Sequence, residues 1–428
     1  MILKNDLKDF SFLIYGLGLT GKSVIKFFNK NNFKNYHVWD DKKKFLFTKK
    51  RPSNLNNILK EVDFIVLSPG VSLFKSKNKK KLIKYKNKII TDIDLFYLFK
   101  KNFKSVIVTG TNGKSTTCKI IYHIFKKNKI NTLVGGNIGT PVLNLSAKKN
   151  FLLVIEASSF QLAYSKFLQP DYALLLNITN DHLDWHGNMK NYIDSKFKIF
   201  QNQKKNQYSL INKNLEYQYK KRKLQGKLII PKFNDYQKIK SKIRNYYLRL
   251  KINDENMSYA LELSKLFKIS KKSFLKCLSS FSGLPHRYEI FLKKKNCTFI
   301  NDSKATTFQS TKYALENTKN IYWIVGGLPK KNDKIILKSL KKNIVKSYII
   351  GKNINFFKKK IKNNLPFFVT KNLKNSINQI LKDIKIFNKK NNTILLSPAS
   401  ASYDQYLNFE HRGNEFKKLS KLYVRKYL

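Results

Sequence analysis

Cysteine is scarce in this 428-residue chain: Cys118, Cys277 and Cys297 are all there is, far apart and in no paired spacing. That excludes a disulfide framework and a cysteine-built zinc site, and it fits a reducing compartment. Long apolar runs are missing too, since none approaches the ~20 residues that span a bilayer. Near the N-terminus Lys4 and Lys8 precede FSFLIYGLGL, but Asp6 and Asp9 interrupt a basic leader. The apolar run then breaks into glycines instead of a cleavage site. The chain is therefore expected to be cytoplasmic, with no membrane insertion. Acidic residues are also few, 26 Asp and Glu against 86 Lys and Arg, for a formal net charge of +60. Such an excess raises the question of nucleic acid. The lysines, however, run through turns, helix faces and loops alike, in company with abundant Asn, Ile and Phe. That is compositional drift along the whole chain, not a basic patch, so no nucleic-acid partner is expected. The charge favours acidic substrates such as nucleotides in a general way.

What the chain does have is VIVTGTNGKST, Val106 to Thr116. Mostly β-branched residues run into a glycine turn, a lysine and then hydroxyls. Ile120, Ile121, Ile124 and Phe125 follow at helical spacing. Strand, glycine turn and helix together aim backbone N–H groups and a helix N-terminus at phosphate. Gly110, Thr111, Asn112, Gly113, Lys114, Ser115 and Thr116 are read as an ATP loop, with the first glycine two residues nearer than in G-x-x-x-x-G-K-[ST]. Lys114 would reach the terminal phosphates, and the Ser115 hydroxyl would be a Mg²⁺ ligand.

Ahead of that loop, Phe12–Tyr15 reads as a buried strand. It is followed by GLGLTG (Gly16–Gly21), a helix from Ser23 to about Asn29, and a strand Tyr36–Trp39 ending at Asp40. G-x-G-x-x-G in this setting binds the diphosphate of a nucleotide without naming its base, and Asp40 stands where a ribose-binding acid belongs. A third strand, Asp63–Leu67, ends in Ser68, Pro69 and Gly70; residues 41–60 carry no evident chemistry. After a linker near Thr91, the ATP-binding part begins at about Lys104. It includes GGNIGTP (Gly135–Pro141) and the strand Phe151–Ile155 with Glu156 at its end. A carboxylate there, beside the phosphate loop, suits Mg²⁺.

The strand Tyr172–Ile178 leads into TNDHLDWHG, where His182 and His186 lack the glutamate of a zinc-protease pair. His182 stays a candidate because it sits at a strand end near Glu156. Residues 201–250 read as short strands and loops, and INDENMSYALEL (Ile252–Leu263) starts a helix. SGLPHRYE (Ser282–Glu289) reads as a hinge. Beyond it, short apolar strands (Tyr322–Val325, Tyr348–Ile350, Ile394–Leu396) alternate with polar helices, one around Ser310–Leu315, as in a parallel α/β unit. Its polar turns are INDSKATT (Ile300–Thr307), GGLPKK and SPASASYDQ.

Taken together, GTNGKST, GGNIGTP, E-x-SSFQL and DHLDWHG resemble the Mur ligase family, ATP-dependent amino-acid ligases of peptidoglycan precursor synthesis. INDSKAT, LPHRYE and LLSPASASYDQYLNFEHRGNEF resemble in particular the members that join D-glutamate to UDP-N-acetylmuramoyl-L-alanine. The likeness runs from about Phe12 to Phe416 and is weakest over 41–60 and 201–250. It implies an α/β fold in three domains: a Rossmann-like N-terminal domain (1–92) for the UDP-substrate, a central P-loop mononucleotide-binding ATPase domain (93–282), and a Rossmann-like C-terminal domain (283–428) for D-glutamate. It implies Gly18, Leu19, Thr20, Asp40, Ser68, Gly70 and Asn137 on the UDP-substrate. The phosphate loop with Asn253, Asn256, Arg287 and Asp302 would hold ATP, and Thr306, Lys330, Ser402 and Phe409 would hold D-glutamate.

Two Mg²⁺ ions are implied, held by Ser115, Glu156, His182 and Lys196, the last as a carbamate because a free ammonium cannot ligate a metal. Lys114, Glu156, His182 and Lys196 would thus be catalytic, and the protein is expected to act as a monomer. Three departures stand out: Ile252 where relatives often have His, Leu328 and Pro329 in a loop often glycine-rich, and Ser400 in place of a frequent Cys. A folate polyglutamate ligase would share the ATP loop but lack the N-terminal domain. A nicotinamide dehydrogenase leaves GTNGKST idle, and a nucleic-acid-binding ATPase leaves INDSKAT and SPASASYDQ unexplained.

Overall fold

The short apolar runs become strands of three sheets. In this computed structural model, residues 6–427 are described except 43–49, 74, 101, 147–149, 331–332, 334–336 and 388. The first sheet holds β1 (Phe12–Tyr15), β2 (Tyr36–Trp39), β3 (Phe64–Leu67) and β4 (Ile89–Ile90) in the order β2-β1-β3-β4. The second holds β5 (Phe103–Thr109), β6 (Thr132–Gly136), β7 (Phe151–Glu156), β8 (Tyr172–Leu175), β9 (Tyr208–Ile211) and β10 (Lys227–Ile229), ordered β10-β9-β8-β5-β7-β6. The third holds β11 (Glu289–Lys294), β12 (Cys297–Asn301), β13 (Ile321–Gly326), β14 (Ile344–Ile350), β15 (Phe367–Lys371) and β16 (Asn392–Leu396), ordered β11-β12-β16-β13-β14-β15.

Pairing is parallel throughout the first two sheets. In the third only the edge pair β11–β12 is antiparallel. Parallel strands need helical crossovers on both faces, so β1, β7 and β13 are buried along their whole length. The loops that follow the parallel strands leave from one edge of each sheet, where ligands of open α/β folds bind; the hairpin turn after β11 lies at the opposite edge.

The chain forms two compact units, Met1–Phe281 and Ser282–Leu428. In the first, one apolar cluster runs through both sheets: Phe12, Phe28, Ile93 and Phe96 belong to it together with Val142, Leu143, Leu153 and Phe200. The second unit has its own core around Tyr322, Tyr348, Ile377, Ile394 and Phe416.

Two expectations change. The first helix runs Leu19–Lys30, starting four residues before the expected Ser23, because the last part of GLGLTG is itself the first helical turn. The stretch 201–250 contains not only β9 and β10 but the helices Glu216–Lys221, Phe233–Lys240 and Tyr246–Arg249. Their anchors are Tyr219, Tyr236 and Ile239, all buried. Tyrosines serving as core residues in a lysine-rich background hide the usual apolar period.

Candidate active site

At the carboxyl edge of the second sheet, β5 delivers the phosphate loop and the helix Lys114–Lys127. Gly113 caps that helix at φ +82°, and an added Cβ would come within 2.2 Å of Asn256 Oδ1, so only glycine fits. Asn256 also accepts from Thr117 Oγ1 and donates to Asn253 Oδ1, at 3.1 Å each. The two asparagines are thereby packed directly behind the loop. Lys114 Nζ donates to the carbonyls of Gly110 (2.9 Å) and Thr111 (2.8 Å). Ser115 and Thr116 are buried in the first helical turn.

Lys196, on the helix Met189–Phe197, is buried and donates to Gly110 O at 2.7 Å. Burial, reinforced by the Lys114 charge, pushes its pKa well below the ordinary lysine value, while Asp181 opposes the shift. A desolvated ammonium beside a second cation loses its proton readily. Glu156 ends β7; its Oε1 accepts from Asn137 Nδ2 at 2.6 Å, and its buried Oε2 has no hydrogen-bond partner among the described residues. A carboxylate oxygen buried without a partner is costly unless a cation or proton joins it. A carboxylate and a hydroxyl such as that of Ser115 are hard-oxygen donors of the type Mg²⁺ takes beside nucleotide phosphates. Among the described residues, no three His, Cys, Asp or Glu converge as a self-sufficient metal cage.

His182 sits in the left-handed region at φ +54°, with Nε2 3.3 Å from Asp181 Oδ2 and its ring 4.7 Å from that of Phe160. Asn137, expected on the UDP-substrate, spends its amide on Glu156 and also takes Glu156 O at its backbone N–H, 2.8 Å away.

Tyr192 and Asn177, which the sequence did not single out, and His186, set aside there as half of a rejected zinc pair, hold this edge together. Tyr192 meets Thr111 Oγ1 at 2.9 Å and lies under Lys196 Nζ, 4.7 Å from the ring centroid. Asn177, after β8, accepts the Asn112 N–H on Oδ1 (2.8 Å) and the Thr111 N–H on its carbonyl (2.9 Å). His186 meets Ser159 Oγ at 3.0 Å, and burial lowers its pKa to about 4. Of the two that were missed, only Tyr192 had a sequence signal, its position one helical turn before Lys196.

At the first sheet, Gly21 packs so closely that a Cβ would lie 2.0 Å from Gly16 O. Ser68 Oγ donates to the same carbonyl at 2.7 Å. Asp40 Oδ2 accepts the Leu17 N–H at 2.6 Å, which ties the end of β2 to the glycine turn. Gly18 caps the helix, Thr20 is half-buried, Gly70 has open space around it, and the Leu19 side chain is 85% exposed.

In the second unit the turns after β12, β13 and β16 share one edge. Asp302 is buried, takes Ser397 Oγ (2.7 Å) and the Tyr288 N–H (3.1 Å), and burial raises its pKa to about 7 against the pull of Arg287. Leu328 and Ala401 exchange backbone hydrogen bonds of 2.8 and 3.0 Å, joining the GGLPKK and SPASASYDQ turns. Lys330 follows directly, Thr306 is half-buried, and Ser402 is buried. Phe409 opens the last helix, its ring 3.7 Å from Lys304 Nζ and its carbonyl accepting from Ser303 Oγ. Sequence reading also missed Arg412, which is buried. Its guanidinium donates to Ser303 Oγ, Ser303 O and Ser400 O at 2.8–3.0 Å and so clamps two of these turns.

Comparison with known proteins gives a consistent picture. The sequence profile of the Mur ligase middle domain matches residues 108–283. The UDP-N-acetylmuramoylalanine–D-glutamate ligase of Rickettsia prowazekii is 37% identical, over 97% of this chain and 99% of its own. That of Buchnera aphidicola is 36% identical, over 96% and 97%. Among solved structures, the MurF ligase from Thermotoga maritima in complex with ADP aligns over 99% of this chain and 100% of its own, at TM-score 0.58 and 16% identity. The MurC structure from the same organism aligns over 97% and 100% at TM-score 0.57 and 16% identity, a likeness of fold.

Proposed function

Because this chain belongs to the Mur ligase family, among its UDP-N-acetylmuramoylalanine–D-glutamate ligases, we propose how its residues divide the work of that reaction. The enzyme adds D-glutamate to UDP-N-acetylmuramoyl-L-alanine at the expense of ATP, a step of peptidoglycan precursor synthesis. Joining a carboxylate to an amine in water is uphill, so the carboxylate is activated first. Its oxygen attacks the γ-phosphorus, the bond to the bridging oxygen of ADP breaks, and an acyl phosphate forms. The amine of D-glutamate then attacks the acyl carbon, the bond to phosphate breaks, and the amine gives up its proton. No protein nucleophile is needed, so positioning and charge do the catalysis.

Residues 1–92 are assigned to the UDP-substrate through Gly18, Leu19, Thr20, Asp40, Ser68 and Gly70. Residues 93–282 are assigned to ATP through the loop Gly110–Thr116, with Asn253 and Asn256 on the base side. Within residues 283–428, Arg287 and Asp302 are assigned to ATP and Thr306, Lys330, Ser402 and Phe409 to D-glutamate. Lys114 turns from the loop carbonyls to the terminal phosphates and spreads their charge during transfer. Ser115, Glu156, His182 and a carbamylated Lys196 are the residues that would hold two Mg²⁺ ions. The ions would supply further neutralisation of the transferring group. Asn137 keeps Glu156 oriented. The observation that carries this reading is the meeting of Lys114 and Lys196 on one loop carbonyl, with Lys196 buried and held toward its neutral form. A neutral amine is the form that takes up CO₂. The protein is read as a cytoplasmic monomer.

The deciding measurement is phosphate release with UDP-N-acetylmuramoyl-L-alanine across a panel of amino acids. Release that requires D-glutamate supports the assignment. Release with another amino acid, or only with DNA, overturns it.

A further inference from the structure

We infer that Glu255 is a positioning residue for the phosphate loop, acting through the side-chain amide of Asn177. The inference rests on the ATP-binding role of the loop proposed above. Glu255 lies in the first turn of the helix Asp254–Leu266, between the two asparagines assigned to the base, and is half-buried. Its Oε2 accepts from Asn177 Nδ2 at 2.5 Å and its Oε1 from Asn212 Nδ2 at 2.9 Å.

Neither amide is free to turn over. Asn177 Oδ1 must face the Asn112 N–H, 2.8 Å away, and Asn212 Oδ1 must face the Asn214 N–H, 3.1 Å away, because a backbone N–H can only donate. Both amides therefore present N–H groups to position 255 from two sides. An ionised carboxylate, acceptor on both oxygens, satisfies the pair; a glutamine cannot, since one end of it is a donor. The chain of bonds Glu255–Asn177–Asn112 fixes the peptide at the tip of the loop, which Asn177 also grips through its carbonyl on the Thr111 N–H at 2.9 Å. With the Thr111 and Asn112 N–H groups tied to Asn177, the loop is held in one shape in advance and has less to reorganise when a phosphate arrives.

The sign of the effect makes this testable. Removing a negative charge beside bound phosphates would by electrostatics alone tighten ATP. If Glu255 works by orienting Asn177, E255Q loosens ATP instead, because an amide must turn and an N–H lose its acceptor. We expect the ATP Kd, measured by calorimetry on the full chain, to rise about ten-fold in E255Q, the scale of one lost buried hydrogen bond. The Kd for the UDP-substrate should not move. N177D alone sets two carboxylates against each other and should bind ATP no better than E255Q. In N177D/E255Q the donor–acceptor pattern closes again at unchanged net charge. The new carboxylate takes the Asn112 N–H and the new amide N–H, and the new amide oxygen takes Asn212. The double variant should return to within about three-fold of wild-type affinity.

Equal or tighter ATP binding by E255Q, or a double variant no better than the worse single one, overturns the inference. Should E255Q unfold, the double variant decides alone: near-native ATP affinity supports the relay and a ten-fold loss refutes it. Wild-type protein that binds no ATP would instead refute the functional assignment on which the relay rests.

Discussion

Lys114 and Lys196 donate to the same oxygen, the carbonyl of Gly110, from 2.9 and 2.7 Å. Burial, reinforced by the neighbouring Lys114 charge, drives Lys196 toward the neutral amine. K196A should therefore lower kcat by at least about 100-fold, and short carboxylates should restore part of it by standing in for a carbamate. In ¹³C-bicarbonate the wild-type protein should show a carbamate resonance that K196A lacks. A spectrum without it, and no rescue, would leave Lys196 a plain buried lysine.

Lys114 offers a different separation. K114A should abolish turnover, by about 1,000-fold or more, because the transferred phosphoryl group loses its nearest fixed charge. Binding of the UDP-substrate, read by calorimetry, should be unchanged, since its assigned residues lie on another sheet. Loss of both together would mean the two sites are not independent.

Gly21 tests the first sheet. Its hydrogen faces Gly16 O where a methyl group would stand 2.0 Å away. In G21A the helix must back off the strand, at a cost of about 1–3 kcal/mol. The midpoint of thermal unfolding should fall, and affinity for the UDP-substrate should fall more than affinity for ATP.

A pH effect follows from Asp302. Burial raises its pKa to about 7, from 3.8 in the unfolded chain. Between those values the native state holds the proton that the unfolded state releases, so stability is full below about pH 4 and declines as pH rises toward 7. The ceiling of the effect is roughly 4 kcal/mol. D302N should flatten the decline; chemical denaturation at pH 5 and pH 7.5, wild type against variant, would read it.

Net charge gives a kinetic expectation. At +60 the protein attracts anionic substrates over distances that added salt shortens, from a Debye length of about 10 Å at 0.1 M to about 3 Å at 1 M. KM for ATP and for the UDP-substrate should rise with ionic strength while kcat changes little. A KM indifferent to salt would mean that the lysines leave no useful field at the sites.

Much of the local structure of this candidate site was legible because its motifs are local in the chain. The residues Gly110–Ser115 and Gly16–Gly21 carry their geometry in consecutive positions, and Glu156 stands at the end of an unmistakable strand. What stayed hidden depends on distant segments meeting. Asn177 and Glu255 are ordinary polar residues until β8 and the helix Asp254–Leu266 bring them to the loop. Arg412 looks like one more cation among many until burial leaves it three carbonyl and hydroxyl partners. Between 201 and 250 the periodic signal failed because Tyr219 and Tyr236 fill places that leucine or isoleucine more often takes.

The apolar cluster that joins Phe28 and Phe96 to Val142, Leu143 and Phe200 has a practical meaning. The first ninety residues are not a cassette that can be clipped off or exchanged on its own. A fragment beginning after Thr91 would turn Ile93, Val142 and Leu143 toward water and tend to clump. Chimaeras that borrow a foreign first sheet must import the opposing surface along with it.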